Sequence, residues 1–188
     1  MEKALFLDKD GTLIKDVPYN VDPKRIVCYP DIFKPLRVLQ KKGYKLIVVS
    51  NQSGIARRYF TAEELEIAFS ELRKQLMAEG IHLDGIYYCP HGDRASDLQC
   101  ICRKPLPGML YQAAAELHID LKKSWMIGDI LNDVAAGRAA GCKTILVDRS
   151  RQERKKDRLE DPKFRPDFIS DDFYGLTQVI TLEKEYYE

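Results

Sequence analysis

At 188 residues and 45% hydrophobic, the chain is long enough to bury a core and is expected to form one domain spanning 1–188. Thirty basic against 29 acidic residues, a net charge of +1, argue against a dedicated nucleic-acid surface but leave room for local patches. No apolar run approaches the roughly 18 residues of a membrane span, so no nucleic-acid or membrane partner, a cytoplasmic location and a monomer are the expectations.

The first element is Ala4–Leu7, an apolar run too short for a helix that ends in Asp8, Asp10, Gly11 and Thr12. A buried parallel strand looks like this when it delivers acids to its carboxyl end, where open α/β sheets bind ligands. Two close carboxylates invite a divalent cation, because like charges resist ionising together. Gly11 lets the backbone turn its N–H groups toward an anion. A bare D-x-D is nonetheless often only an acidic turn, and partners farther along the chain decide the case.

Residues 14–27, with Pro18, Asn20 and Pro23, are too irregular for an element and are expected to form a flap. Asp31 is placed as the cap of a helix running to Lys42. Lys45–Ser50 reads as a second strand, followed by the polar turn Asn51-Gln52-Ser53-Gly54. Thr61 and Glu64 form a capping box for a helix reaching Gly80. Gly85–Tyr88 is a third strand, and a cysteine-bearing loop, 89–104, comes after it. A helix opens at Pro107-Gly108; Ser124–Ile127 is a strand ending in Gly128-Asp129; a short Ala-rich helix covers Asn132–Ala140; Lys143–Val147 is a fifth strand. Arg149–Arg165 is charge-dense without apolar periodicity and reads as a solvated loop. Asp167–Ser170 and a helix over Asp171–Ile180 complete the chain. Strands alternating with helices predict an α/β fold, a parallel sheet flanked by helices.

Three strand ends then supply Asp8 with Asp10, Ser50, and Asp129 with Asp133, while Lys104 comes from the cysteine loop. In a parallel sheet these converge. A carboxylate nucleophile, a second carboxyl group, a cation site, a hydroxyl and a lysine are the parts for phosphoryl transfer through an aspartyl-phosphate. Of five cysteines, Cys89, Cys100 and Cys102 crowd one loop with His91. Three sulfurs and an imidazole make a full tetrahedral set for a structural Zn²⁺, and in a reducing compartment the clustering favours metal over disulfide. Cys28 and Cys142 read as buried thiols.

The order D-x-D-G-T, strand then Ser50, Lys104, then Gly128-Asp129 and Asp133 resembles the haloacid dehalogenase superfamily of phosphohydrolases over nearly the whole chain. The resemblance implies a Rossmann-like (HAD-type) sheet with the nucleophile on its central strand. It makes Asp8 the nucleophile and Asp10 the general acid, later the base. Ser50 and Lys104 would hold the phosphoryl group. Mg²⁺ would sit on Asp8, the Asp10 carbonyl and Asp129, with Asp133 in support.

Within that superfamily, Ser50-Asn51-Gln52-Ser53-Gly54-Ile55-Ala56-Arg57, Cys89-Pro90-His91 and Cys102-Arg103-Lys104-Pro105-Leu106-Pro107-Gly108-Met109 are similar to a zinc-loop subgroup without a large cap domain. That likeness implies a small phosphorylated sugar as substrate, a heptose 1,7-bisphosphate losing its C7 phosphate, with histidinol phosphate as the alternative. Gly11, Thr12, Asn51, Gln52, Ser53, Arg57 and Arg103 join Ser50 and Lys104 as candidate phosphate or substrate contacts. Arg suits a second phosphate because its fork matches phosphate oxygens. Three departures from the subgroup, Arg58 for glycine, Gly92-Asp93 for His-Pro and Ile130 for lysine, lie where substrate would be selected. Asp93 and Asp97 could add negative charge there.

Overall fold

The computed structural model describes residues 1–92 and 100–182. Six parallel strands form one sheet: β1 (Lys3–Leu7), β2 (Tyr44–Asn51), β3 (Gly85–Cys89), β4 (Trp125–Gly128), β5 (Lys143–Val147) and β6 (Phe168–Ser170). Their spatial order is β3-β2-β1-β4-β5-β6. The chain winds outward from β1 to β3 and then returns to the other side of β1. That reversal is a topological switch point, and the crevice outside the carboxyl ends of β1 and β4 is where such sheets take ligands. The expected α/β parallel sheet with flanking helices is present, with no cap domain among the described residues.

Alternation along the strands builds two cores, since successive side chains point to opposite faces. Leu5, Leu7, Leu46, Val48 and Ile127 face one layer, with Leu36 and Leu39 of α1 (Phe33–Lys41), Ala68, Leu72 and Leu76 of α2 (Ala62–Ala78), and Leu176 and Ile180 of α5 (Leu176–Leu182). Ala4, Phe6, Ile47, Val49 and Met126 face the other, with Met109, Leu110 and Ala113 of α3 (Gly108–Leu117) and Ala136 and Ala140 of α4 (Leu131–Ala140). Each fully buried Leu or Phe contributes about 1.5–3 kcal/mol. Helix α2 starts where the sequence places it: Thr61 Oγ1 accepts from Glu64 N–H at 3.2 Å and Glu64 Oε2 accepts from Thr61 N–H at 2.8 Å. Such a cap is worth about 1 kcal/mol.

Three expectations need correction. Asp31 does not cap a helix: Pro30–Ile32 is a 3-10 turn and α1 begins at Phe33. Its carboxylate turns inward, where Oδ2 accepts from Arg149 Nη1 and from Phe173 N–H, both at 2.9 Å. Arg149–Arg165 is not simply solvated. It forms three short 3-10 turns, Phe164 is buried against Leu131, Val134 and Leu146, and Arg149 stacks 3.9 Å over Tyr29. One buried aromatic and paired charges anchor it, which no periodicity reveals. The last helix begins at Leu176, because the preceding residues spend their polar groups on a turn: Asp172 Oδ1 accepts from Tyr174 N–H at 2.9 Å. Among the described residues, no helix is long and apolar enough to cross a membrane.

Candidate active site and metal centre

Strand β1 ends at Leu7, and the chain then coils tightly: Lys9 C=O accepts from both Leu13 and Ile14 N–H, at 3.0 and 3.1 Å. Gly11 lies at the hinge with φ +79°, and a Cβ there would stand 2.1 Å from Asp129 Oδ2. Only glycine permits that approach. Its N–H is taken by Ile14 C=O at 2.9 Å rather than facing an open anion site. Gly128 plays a matching part under Asp133, whose Cβ lies 2.3 Å from where a side chain would begin.

These turns bring the acids together. One carboxylate oxygen from each of Asp8, Asp129 and Asp133 falls within a 4.8 Å cluster, with Asp8 and Asp133 buried. Lys104 Nζ closes the cluster, 2.5 Å from Asp8 Oδ1 and 2.7 Å from Asp133 Oδ1, and donates to Val49 C=O at 2.8 Å. Thr12, fully buried, donates from Oγ1 to Asp129 Oδ1 at 3.2 Å, and Asp133 Oδ2 accepts from Ile130 N–H at 3.2 Å. Burial and mutual charge shift Asp8, Asp129 and Lys104. Burial raises the Asp8 carboxyl to about 7, against the pull of Lys104 and with help from Asp133 and Asp10. Burial and then the Asp8 and Asp133 charges push Asp129 to about 9. Burial alone would depress the Lys104 ammonium, but Asp133 and Asp8 outweigh it and hold it protonated. Three hard oxygen donors that repel one another fit a divalent cation such as Mg²⁺.

Asp10 stands apart from that cluster, at the edge of a cleft of about 320 Å³. Its Oδ2 accepts from Gln52 Nε2 at 3.1 Å, and the same nitrogen lies 2.7 Å from Ser50 Oγ. Asp16, Tyr19, Asn20, Asn51 and Ser53 also line the cleft, so one side of it comes from residues 16–20, within the segment 14–27. Tyr19 also meets Tyr59 edge-to-face, ring centroids 4.6 Å apart. Arg57 and Arg103 do not line it. Arg103 instead donates from Nη1 to His91 C=O at 3.1 Å, and Arg57 is half-buried beside Ser53. Asn51 holds the Lys104 backbone, a role the sequence did not disclose. Lys9, also unforeseen, pairs with Asp10 at 3.0 Å. The D-K-D spelling was its only signal.

The second donor cluster is Cys89, His91, Cys100 and Cys102. Neighbouring donor atoms are 3.1–3.4 Å apart and all the thiols are free. A disulfide would need about 2.05 Å. Tetrahedral Zn²⁺ ligands, at about 2.3 Å for sulfur, stand only slightly farther apart, so the donor set fits zinc with no open position. Burial raises the Cys100 thiol, but hydrogen bonds from Cys102 and Arg103 N–H bring it down to about 7, toward thiolate. Arg103 and Lys104 come directly after this cluster in the chain. Asp93 and Asp97 lie outside the described residues.

Comparison with known proteins agrees with this geometry. A family model described as HAD-hydrolase-like matches residues 101–176. The chain is 39% identical over 186 residues to D-glycero-beta-D-manno-heptose-1,7-bisphosphate 7-phosphatase of Pasteurella multocida, covering 96% of this chain and 97% of that protein. It is 41% identical to the protein of the same name from Escherichia coli K12, covering 78% and 79%. The crystal structure of D,D-heptose 1,7-bisphosphate phosphatase from B. bronchiseptica, complexed with magnesium and phosphate, superposes with a TM-score of 0.83 at 27% identity, covering 97% of this chain and 99% of that one.

Proposed function

Because the chain belongs to the heptose-1,7-bisphosphate 7-phosphatase family of HAD-type phosphatases, phosphoric monoester hydrolases, we propose that it removes the C7 phosphate of D-glycero-D-manno-heptose 1,7-bisphosphate through an aspartyl-phosphate on Asp8. The substrate rests on near-full-length likeness to the relatives. The reaction rests on one observation, the Asp8 carboxylate held 2.5 Å from Lys104 at the tip of the central strand.

Asp8 attacks phosphorus, and the bond from phosphorus to the sugar oxygen breaks. Asp10, at the cleft edge, delivers a proton to that departing oxygen. Water then attacks the phosphorus of the aspartyl-phosphate while Asp10 takes its proton, releasing phosphate and restoring Asp8. Lys104 offsets the charge on the transferring group and is itself fixed by Asp133 and Val49. Ser50 and Gln52 stand beside Asp10 to orient the phosphoryl oxygens. A Mg²⁺ held by Asp8, the Asp10 carbonyl and Asp129, with Asp133 in support, would supply further neutralisation of phosphate charge. Zn²⁺ on Cys89, His91, Cys100 and Cys102 would brace the loop that presents Arg103 and Lys104. Arg103 and Arg57, which do not line the cleft, would have to turn toward it to receive the second phosphate.

The test is turnover of heptose 1,7-bisphosphate against histidinol phosphate with Mg²⁺ present, in wild type and Asp8→Asn. A higher kcat/KM for the bisphosphate and loss of turnover in Asp8→Asn are expected. Preference for histidinol phosphate would overturn the substrate, and residual activity above a few per cent (about 30-fold loss or less) in Asp8→Asn would overturn the covalent route.

A further inference from the structure

Lys9 lies between the two carboxylates, and none of the chemical steps uses it. It is among the largest fully buried side chains, 1% exposed. An ammonium taken out of water needs a compensating charge. The Nζ finds one in Asp10 Oδ1 at 3.0 Å, with the Phe69 ring of α2 at 5.9 Å. The remaining Asp10 oxygen, Oδ2, accepts from the buried Gln52 at 3.1 Å. Both oxygens of Asp10 are therefore held, one by each side chain, while its side chain stays 29% exposed and lines the cleft.

Stability is a weak account of this arrangement, because the Asp10 side chain keeps access to water. A buried ion pair is often replaceable by apolar side chains of similar volume at no loss, because desolvation cancels the attraction. A methionine would fill the space against Phe69 and leave Asp10 solvated by the cleft. Neighbouring side chains on an extended strand also point apart. Here Lys9 and Asp10 meet because the chain has left β1, with Lys9 C=O clamped by Leu13 and Ile14 N–H. The backbone at Lys9 is thus a fixed post, and its side chain a strut to the carboxyl group.

We propose that Lys9 is a positioning residue that, with Gln52, fixes the Asp10 carboxyl group for proton transfer to the departing sugar oxygen. The proposal rests on the role of Asp10 as the acid in the proposed function. Proton transfer needs the acid within hydrogen-bond reach of the ester oxygen, and a misplacement of about 1 Å costs on the order of 10²-fold. An alkyl leaving group depends on that proton, whereas nitrophenolate departs without it.

The experiment measures single-turnover release of the leaving group from the sugar bisphosphate and from p-nitrophenyl phosphate, in wild type, Lys9→Met, Lys9→Gln, Lys9→Arg and Asp10→Asn. In Lys9→Met the sugar ester should slow by about 10²-fold with KM nearly unchanged, while nitrophenolate release should change by less than about 3-fold. Lys9→Arg should recover most of the sugar-ester rate. Should Lys9→Met fail to fold, Lys9→Gln, shorter and neutral, carries the same expectation. Equal slowing of both esters, or no slowing of either, in a folded Lys9 variant overturns the proposal. If every neutral Lys9 variant unfolds while Lys9→Arg stays fully active, Lys9 is a structural ion pair and the proposal fails. Asp10→Asn separates the two levels: if it slows both esters alike, the acid role of Asp10 fails first, and if it discriminates while Lys9→Met does not, only the role of Lys9 fails.

Discussion

Asn51 and Lys104 clasp each other by a reciprocal pair of hydrogen bonds: Asn51 Nδ2 donates to Lys104 C=O at 3.0 Å, and Lys104 N–H donates to Asn51 Oδ1 at 2.9 Å. Residues 53 positions apart are joined as two strands would be, although Lys104 is in a loop. The carboxyl end of β2 therefore sets where the cysteine loop delivers its ammonium. Lys104 reaches Asp8 and Asp133 from a backbone held by a side chain.

Asn51→Ala is expected to lower activity through Lys104 rather than through substrate. Two backbone groups lose their partners, costing about 1–3 kcal/mol of stability. The kcat should fall on the order of 10²-fold, with KM changed far less. Thermal melts and steady-state kinetics check both. Unchanged kcat beside a lowered Tm would show that Lys104 keeps its place without the clasp.

The Cys89, His91, Cys100, Cys102 cluster predicts one tightly held Zn²⁺ per chain, separate from exchangeable Mg²⁺. Cys100→Ser removes a soft ligand and the sulfur that accepts from Arg103 N–H at 3.3 Å. The expected result is loss of zinc, a lower Tm, and a fall in kcat as Arg103 and Lys104 lose their anchor. Elemental analysis of protein purified without chelator reads the first directly. No zinc in the wild type, or full activity in zinc-free Cys100→Ser, would remove the structural role.

Arg58 has φ +58°, in the left-handed region that disfavours any residue with a Cβ. Glycine would take this conformation without a Cβ clash, so this chain carries backbone strain at Arg58. Arg58→Gly should raise stability by about 1 kcal/mol, less the flexibility glycine adds to the unfolded chain, or about 2–4 °C in Tm. A lower Tm would mean that the exposed Arg58 side chain stabilises the loop by more than its backbone costs.

How much of the molecule could be read from its residues depends on the range of each signal. Ala4–Leu7, Lys45–Ser50 and the Thr61–Glu64 box are local patterns, and each became the expected element. The donors Asp8, Lys104, Asp129 and Asp133 were legible because strand ends must converge once the sheet is parallel. The inward turn of Asp31 was not, since its partners Arg149 and Phe173 lie more than a hundred residues away and only the closed sheet brings them near. Phe164 gave no period to read, being a lone apolar residue among charges. The Asn51 clasp and the Lys9 strut depend on side-chain reach inside loops, where neither a 2.0 nor a 3.6 period applies.

Asp148 carries the last prediction. It sits just past β5, its side chain is fully buried, and it organises the charged segment after it. Oδ2 accepts from Arg154 N–H at 2.9 Å and Arg154 Nε at 3.0 Å, while Oδ1 accepts from Gln152 N–H at 3.1 Å. Burial pushes this carboxyl up, but the Arg154 backbone and side-chain bonds, with those from Glu153 and Gln152, win and hold it below its ordinary value. A folded value below the unfolded one means the group stabilises the fold above the unfolded pKa of about 3.9. That contribution fades as pH falls through the folded value. Asp148→Asn should therefore cost about 1.5–3 kcal/mol near pH 7, where charged hydrogen bonds are lost. The gap from wild type should narrow as the pH drops below about 4. Urea melts of both proteins across that range give the comparison. A gap that stays constant with pH would mean the cost comes from packing the amide, and that the Asp148 charge contributes nothing.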